Sequence, residues 1–452
     1  MRRGNWIPAY AGMTKAVAGM TKAVAGMTAA LVVAACASTE ARAPKVAAPK
    51  PPQDKALLAR GEALSALGNC RTCHTRPDGK SYAGGVPFKT AFGTVYSTNI
   101  TPDVESGIGA WTETDFIRAM REGVDRGGHN LYPVFPYDHF THVTDEDDRA
   151  IYAYLMSRTP VKAPHPHNEL VFPVNVRASL GVWKKLYFKP GPHHDDPARS
   201  RAYNRGAYLV DGLGHCGGCH TPRNAAGAEE PGRELDGGEA EGWHAYAINA
   251  RSQAPVPWTE AQMTAYLKHG WQADHGVSRG PMAPVTDELG DVPEEDLRAI
   301  ATYLVTLMGS HAAQHAPAAA QDTSSEAATI YAGACAQCHD GTQPLPFGGI
   351  ALPHSIGVSG ESPRDLFNVI LYGLPAAEGE AAPMMPAFEG AFDDRQLTQL
   401  AAWLRVRFSG REPWTEAQLE HELREARRKG GEGARYPAGG NAIDPAKGSS
   451  RP

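Results

Sequence analysis

Helical periodicity recurs three times along this chain, each time in the same order. Apolar positions predict a first helix, a middle helix that closes on glycine, and a terminal helix that opens with acidic residues and ends on an aromatic residue followed by leucine. The predicted ranges are Ala56–Asn69, Asp115–Gly123 and Asp145–Met156; Arg201–His215, Gln262–Gly270 and Glu294–Leu307; and Glu326–Ala334, Asp365–Gly373 and Asp393–Phe408. The acidic openings suit the positive end of a helix dipole. The pattern therefore predicts three copies of one helical unit.

A Cys-x-x-Cys pair follows each first helix, and a histidine follows each pair at once. The three motifs are Cys70, Cys73 and His74; Cys216, Cys219 and His220; and Cys335, Cys338 and His339. In this pattern the two thiols attach covalently to a haem, and the imidazole coordinates its iron. Disulfides, zinc knuckles and thioredoxin-like pairs are the alternatives, but histidine is only 18 of 452 residues and follows all three pairs. The sequence predicts three c-type haems and a mainly α fold of three tandem class I-like cytochrome c domains.

Composition divides the chain further, because 48 glycines and 36 prolines indicate long loops between the helices. The predicted segments are a lipoprotein-type signal at 1–36, cytochrome c domains at 54–158, 198–310 and 326–412, a Pro-rich aromatic connector at 159–197, a flexible linker at 311–325, and a charged helix with a disordered tail at 413–452. The connector has two interpretations. It packs along the first two domains, or it is a docking surface for a partner or the membrane.

The amino terminus resembles a bacterial lipoprotein signal. The apolar stretch Thr28–Ala35 leads directly to Cys36, which would become the acylated first residue. An ordinary cleaved signal, with Cys36 incidental, is the alternative. The apolar run is too short to span a bilayer. The same seven residues occupy 14–20 and 21–27, which indicates that translation begins at Met20. We therefore expect a periplasmic protein anchored by lipid on Cys36, in the compartment where c-type haem is attached.

Charge excludes one class of partner. The chain has 44 Lys and Arg against 50 Asp and Glu, a formal charge of −6. A nearly neutral balance argues against nucleic acid as a partner.

Methionine loops before two terminal helices predict sixth iron ligands. Met282 lies in the Gly-Pro-Met-Ala-Pro sequence of the second domain, and Met385 follows Met384 in the Pro-Met-Met-Pro sequence of the third. A thioether in this position raises the reduction potential relative to a second histidine. We predict Met282 and Met385 as ligands, with Met384 as the competitor of Met385.

The first domain has Phe135 where the other two have methionine, and phenylalanine cannot bind iron. Met120 and Met156 are predicted to belong to the core. The nearby histidines are His129, His139 and His142. We predict His139, just beyond the Phe135 loop, as the sixth ligand; another histidine or an open iron position is the alternative.

Four segments carry a resemblance to a known family. They are Gly93–Asp103 (GTVYSTNITPD), Gly107–Gly109, His129–Pro133 (HNLYP) and Gly280–Pro284. The chain resembles, from about Lys55 to Phe408, the three-haem cytochrome c subunits of membrane-associated bacterial dehydrogenases for alcohols, gluconate and related sugars. It is also similar to the cytochrome subunits of molybdenum hydroxylases. The alcohol and sugar branch has methionine at the position of Phe135, so the departure favours the molybdenum branch.

The resemblance implies an electron-transfer subunit that is not itself the catalyst. A catalytic dehydrogenase subunit, either a molybdenum hydroxylase, a quinoprotein or a flavoprotein, would oxidise the substrate. Electrons would pass through the haems to membrane quinone or a downstream carrier. The competing hypothesis is a peroxidase-like haem enzyme with an open iron position in the first domain.

Overall fold

The computed structural model describes residues 54–76, 79–164, 166–309, 324–340, 350–374 and 385–430. The predictions on the signal, Cys36, Met384, the linker up to residue 323 and the tail beyond residue 430 lie outside the described residues. Within the described ranges the regular structure is mainly helical. No helix there is both long enough and apolar enough to cross a bilayer.

All nine helices predicted from periodicity are present, most with ends shifted by a few residues. The first helices span Lys55–Leu67, Arg201–Ala207 and Glu326–Ala334; the middle helices Glu113–Glu122, Glu260–His269 and Arg364–Tyr372; and the terminal helices Asp145–Met156, Glu294–Met308 and Asp394–Ser409. A π-helical turn, Tyr208–Leu213, extends the first helix of the second unit.

Shorter elements fill the space between these nine helices. Further helices span Cys70–His74, Tyr137–Phe140, Leu180–Tyr187, Gly217–His220, Met282–Leu289, Ala336–His339, Ile356–Ser359 and Glu416–Glu425, with 3₁₀ turns at Arg177–Ser179 and Leu352–His354 and a π turn at Ala426–Gly430. The helix at Glu416–Glu425 lies where the sequence predicted a charged helix. Leu419 and Leu423 bury one side of it.

The middle helices of the first two units begin and end with the same local devices. Thr112 and Thr259 are their N-caps, and each forms a reciprocal capping box with the residue three positions on. Gly123 and Gly270 end these helices with φ of 59° and 74°, a conformation that glycine adopts without steric cost. The first two units therefore repeat the same helix-capping residues as well as the same apolar pattern.

The strands are short and antiparallel. Pro87–Thr90, Gly93–Tyr96 and Glu169–Leu170 form one sheet, Gly238–Ala240 pairs with Trp243–Ala245, and Trp271–Gln272 pairs with Gly276–Val277. The register sets Pro87 opposite Tyr96 and Gly238 opposite Ala245. The hairpins at 87–96 and 238–245 lie in the loops after the first two motifs, and the hairpin at 271–277 follows the middle helix of the second unit.

Apolar side chains form two clusters. The first extends from Leu64 to Met308 and joins the first two predicted units in one continuous core. The second extends from Tyr331 to Ala426 and includes the third unit and the helix after it. The first two units are thus packed as one body, although the sequence predicted a connector between them.

Two glycines allow the first and terminal helices to cross at backbone contact. A Cβ added to Gly61 would lie 2.0 Å from the carbonyl oxygen of Ala150, and one added to Gly206 would lie 2.0 Å from that of Ala299. Real Cβ atoms cannot approach so closely. The first and second units therefore have the same close crossing between their first and terminal helices.

The connector packs on both of the first two units, as one of its two interpretations expected. The Lys184 ammonium donates to the backbone oxygen of Gly123 across 2.8 Å and lies 4.8 Å from the centre of the Tyr137 ring. The Trp183 indole donates to the backbone oxygen of Ala226 in the second unit across 3.0 Å. These contacts seat the helix Leu180–Tyr187 firmly against the protein.

Candidate haem-binding sites

Each Cys-x-x-Cys-His motif folds as a short helical turn directly after the first helix of its unit. In the first two units the residue before the motif turns the chain in the left-handed region, with φ of 51° at Asn69 and 37° at His215. Asparagine and histidine adopt this conformation more readily than most residues. The turn presents both cysteines and the histidine from one short segment.

Each of the three motif histidines makes the same kind of hydrogen bond, from its ring to a backbone oxygen. Their Nδ1 atoms lie 2.6 Å from the backbone oxygen of Thr98, 2.7 Å from that of Tyr246 and 3.3 Å from that of Ile350, for His74, His220 and His339 respectively. A carbonyl oxygen can only accept, so Nδ1 carries the proton and Nε2 keeps its lone pair. Fixing one ring nitrogen in this way is how proteins orient histidine ligands toward a metal.

Burial keeps these three imidazoles neutral. It lowers the pKa of His74, His220 and His339, because the charged ring would lose its hydration. A neutral ring is the form that ligates iron.

The six motif cysteines are all free thiols, so the described residues contain no disulfide within these pairs. Burial raises the pKa of Cys70 to about 11 and that of Cys216 to about 12. Each motif offers two thiols and one Nε2 lone pair, the donor set that a covalently attached haem requires.

Met282 begins the helix Met282–Leu289 and is partly buried against the first core. The loop before it passes directly over an indole ring. A Cβ on Gly280 would lie 2.6 Å from ring atoms of Trp243, and Gly280 has a φ of 54°. Only glycine fits there, so the loop that presents Met282 is held close to the second motif's hairpin.

Met385 pairs with the end of the middle helix of the third unit. Its amide donates to the backbone oxygen of Leu374 across 2.9 Å, and the Leu374 amide donates back across 2.8 Å. Its side chain is partly buried against the second core. The backbone thus fixes Met385 at the edge of the third unit, while Met384 lies outside the described residues.

Several known cytochromes are similar to this chain. Residues 322–404 match the family described as Cytochrome C oxidase, cbb3-type, subunit III. The fructose dehydrogenase cytochrome subunit of Gluconobacter japonicus is 33% identical over 81% of this chain and 82% of its own length. The gluconate 2-dehydrogenase cytochrome c subunit of Pantoea cypripedii is 34% identical over 77% of this chain and 85% of its own. The chain belongs to the cytochrome c subunits of dehydrogenases.

Membership of this family defines the role in outline. Cytochrome c subunits hold covalently bound haem c and transfer electrons, and they are not the catalytic subunits of their complexes. The mainly α cytochrome c fold predicted from the sequence is confirmed.

A longer relative is more similar to the chain. One of the subunits of nicotinate dehydrogenase from Pseudomonas putida is 46% identical over 79% of this chain, but the match covers 31% of that protein. The chain therefore spans about a third of the length of this relative.

The first unit of this cytochrome has Phe135 where the other two units have the predicted ligands Met282 and Met385. Phe135 is partly buried against the first core, and its ring lies 5.3 Å from that of Phe140 in an edge-to-face arrangement. The loop that carries a methionine in the second and third units is here filled by packed aromatic side chains.

His139 has contacts that disfavour a ligand role. Its Nδ1 donates to the backbone oxygen of Asp211 across 2.9 Å, and its Nε2 donates to Glu229 Oε1 across 2.8 Å. Burial alone would lower the pKa of His139, but the hydrogen bond and charge of Glu229 outweigh it and raise the pKa to about 9. A ring with both nitrogens protonated has no lone pair for iron. The ring also faces the second motif, since a Cβ on Gly217 would lie 2.8 Å from its Cε1.

The other two histidines near the Phe135 loop differ from each other. His129 is largely exposed, and its Nδ1 lies 3.2 Å from Asp125. His142 Nδ1 donates to the backbone oxygen of Gly191 across 2.8 Å, and burial lowers its pKa. His142 therefore repeats the hydrogen bond of the motif histidines, and sequence reasoning did not distinguish it.

Sequence reasoning also missed an ion pair between the first two sites. Arg71, inside the first motif, lies 2.6 Å from Glu288 on the helix that begins at Met282. Burial raises the pKa of Cys73 to about 12, and the neighbouring thiols of Cys70 and Cys219 raise it too. The first and second motifs are thus neighbours.

The third unit touches the second through a buried carboxylate. Asp365 accepts a hydrogen bond from the His244 amide across 2.8 Å and another from the Tyr246 hydroxyl. The backbone oxygen of Tyr246 is the acceptor for His220. Burial raises the pKa of Asp365 to about 7. The sequence pattern does not predict this contact, because an aspartate in a predicted helix does not by itself indicate a contact with another unit.

Proposed function

We propose that this protein is a periplasmic cytochrome with three covalently bound haems that relays electrons from a catalytic dehydrogenase subunit to membrane quinone or a downstream carrier. The observation that carries the proposal is the threefold contact of the motif histidines with backbone oxygens. This contact leaves the Nε2 lone pair of one histidine available beside each pair of thiols.

The residues that would hold the haems follow from the sites. Cys70 and Cys73, Cys216 and Cys219, and Cys335 and Cys338 would form the thioether bonds; His74, His220 and His339 would ligate iron on one side, and Met282 and Met385 on the other in the second and third units. When bound, each haem supplies an iron that gains and loses one electron. The protein's own part is to fix the imidazole tautomer and bury each site.

The proximity of the first two motifs supports a relay between them. Arg71 and Glu288 join the two sites directly, and the shared core keeps them in contact. Contacts of Asp365 with the hairpin behind His220 connect the third unit to the second. Electrons would therefore have a continuous path through one molecule.

The location and partners belong to the same proposal. The lipoprotein-like sequence up to Cys36 supports periplasmic export and a lipid anchor. Similarity to the nicotinate dehydrogenase protein of Pseudomonas putida, together with Phe135, supports a partner that oxidises an N-heterocycle, such as a molybdenum hydroxylase. Relatives among fructose and gluconate dehydrogenases support the broader class of partner dehydrogenases.

Haem counting tests the proposal. The chain is expressed with its natural leader in a host competent for cytochrome maturation, and intact mass and haem absorbance are measured. We expect three haems per chain. Replacing Cys335 and Cys338 by alanine should leave two haems and leave the first core folded. A chain without added haem mass would contradict the proposal.

A second candidate is a peroxidase-like enzyme. It is favoured by the first unit, where Phe135 replaces the ligand and both nitrogens of His139 are engaged. Peroxide-dependent turnover by the isolated three-haem chain, with a high-spin ferric signal, would support this candidate. A fully low-spin spectrum without turnover would reject it.

A further inference from the structure

Exposed apolar side chains are concentrated in the connector. Of the large apolar side chains that are exposed in the described part of the chain, all but Val104 lie between residues 171 and 187. They are Val171 at 56% exposed, Phe172 at 80%, Val176 at 47%, Val182 at 62%, Leu186 at 67% and Tyr187 at 37%. Single exposed apolar residues are ordinary, but a concentration of this kind marks an interaction surface.

The helix Leu180–Tyr187 has two distinct faces. Leu180 is 4% exposed, and Trp183 and Lys184 make the inward contacts with Ala226 and Gly123. Val182, Lys185 and Leu186 follow helical spacing on the opposite, exposed face. Because the inner face is held by hydrogen bonds, the outer face cannot turn inward to bury its apolar side chains.

The composition of the outer face points to lipid rather than protein. Protein interfaces are depleted in lysine, and valine and leucine are under-represented among their hot spots. Here Val182 and Leu186 stand beside the exposed Lys185, and the exposed Lys189 follows the helix. Apolar side chains flanked by lysines are typical of surfaces that lie in the headgroup region of anionic membranes.

We propose that the exposed face of helix Leu180–Tyr187, with Val171, Phe172 and Val176 before it, docks on a lipid bilayer that contains anionic lipid. The inference deepens the proposed function, on which it rests, because it gives the relay a contact with the membrane beyond a single lipid anchor. The connector also covers the loop of the first unit. Tyr137, fully buried, lies 5.2 Å from the Phe188 ring. Docking would therefore bring the first unit towards the membrane.

Vesicle flotation tests the proposal without the lipid anchor. The three-haem chain from residue 37 is exported behind a cleavable signal that lacks a lipid-acceptor cysteine. It is mixed with vesicles of phosphatidylcholine alone, or of phosphatidylcholine and phosphatidylglycerol in equal amounts. We expect flotation with the anionic vesicles and much less with the neutral ones.

Matched variants locate the surface. Replacing Val182 and Leu186 together by serine should weaken flotation about tenfold or more, since these side chains would enter the bilayer. Replacing Lys185 and Lys189 by glutamate should abolish the preference for anionic lipid. Val104→Ser, at the exposed valine outside the connector, should float like the unmodified chain. Haem absorbance and circular dichroism confirm that each variant is folded.

The results that overturn the inference are distinct from failure of the electron relay. A chain with three haems that does not float, or that floats equally well after the Val182 and Leu186 replacements, would reject bilayer docking and leave the relay intact. If the chain with Val182 and Leu186 replaced floats as well as the unmodified chain but no longer binds the catalytic subunit, the surface binds that subunit and not the bilayer.

Discussion

The guanidinium of Arg71 donates a hydrogen bond to the carboxylate of Glu288 across 2.6 Å. Arg71 lies between the two cysteines of the first motif, and Glu288 lies on the helix that begins at Met282. The Glu288 side chain is 6% exposed and that of Arg71 is 22% exposed. A buried carboxylate is stable only with a partner, so this pair joins the first Cys-x-x-Cys-His motif to the helix that begins at Met282.

Glu288→Gln should destabilise the protein, because the buried end of Arg71 loses its charge partner. We expect a loss of about 1 to 3 kcal/mol, below the value for a fully buried pair because Arg71 is partly exposed. Urea unfolding of the haem-loaded protein measures it. Glu294→Gln, at exposed ion pairs with Lys268 and Arg298, is the control and should shift the midpoint much less, because exposed pairs contribute little. A loss for Glu288→Gln no larger than that for Glu294→Gln would show that the buried pair is unimportant.

Asp365 should make stability depend on pH. Burial raises its pKa to about 7, so the folded protein binds a proton that the unfolded chain releases near pH 4. The contribution of this group is therefore fully present below pH 4 and is lost as the pH rises towards 7 and beyond. Asp365→Asn should remove this loss of stability. Between pH 5 and pH 8 the unfolding midpoint of the variant should therefore rise relative to that of the unmodified protein.

The exposed Asp195 provides the control for this titration. Asp195→Asn should follow the unmodified protein over the same pH range. If Asp365→Asn also follows it, the carboxylate does not couple stability to pH in this range.

His139→Gln should leave the spectrum of the first haem unchanged, because both ring nitrogens of His139 are used in hydrogen bonds. Electron paramagnetic resonance of the ferric protein distinguishes low-spin from high-spin haem. His142→Gln is measured in parallel, since His142 has the hydrogen bond typical of a ligand. Loss of a low-spin signal in the His139 variant would support the sequence-based prediction of His139 as sixth ligand.

Met282→His should lower the potential of one haem. Histidine in place of methionine favours the ferric state. A redox titration monitored by absorbance resolves the change, and the remaining haems should keep their potentials. Met263 is 4% exposed in the first core and is not a predicted ligand. Met263→Leu should therefore leave all potentials in place, and an unchanged titration for Met282→His would remove Met282 from the ligand set.

Gly206→Ala should destabilise the second unit, because the new Cβ would meet the carbonyl oxygen of Ala299. Overpacking of this kind costs about 1 to 3 kcal/mol. Thermal unfolding followed by circular dichroism measures it. Gly333→Ala makes the same replacement in a helix where nothing lies within 4 Å of the new atom. It should be neutral or slightly stabilising, and a similar loss in both variants would contradict the close-crossing explanation.

The helices and the motif residues could be predicted because their causes are local. Capping residues such as Thr112, glycine at helix ends and apolar spacing all act within a few positions of the chain. The strands could not, since each described strand has only two to four residues and shows no usable alternation. Their existence depends on loops that the helices bring together.

In the candidate sites, too, only the features with local causes could be predicted from the sequence. The thiols and motif histidines follow from spacing, but the contacts that tune them join distant residues. Glu229 meets His139 across 90 positions, and Glu288 meets Arg71 across 217. No periodic pattern encodes such pairs, so the expectation for His139 rested on its position after Phe135 and not on its surroundings.

The continuous core from Leu64 to Met308 has a consequence for electron flow. Tunnelling rates fall steeply with distance, and two modules on a loose tether would spend much of their time too far apart. With the proposed haems bound at the first two motifs, the distance between them would be fixed when the polypeptide folds. Solvent viscosity should therefore have little influence on the hop between them.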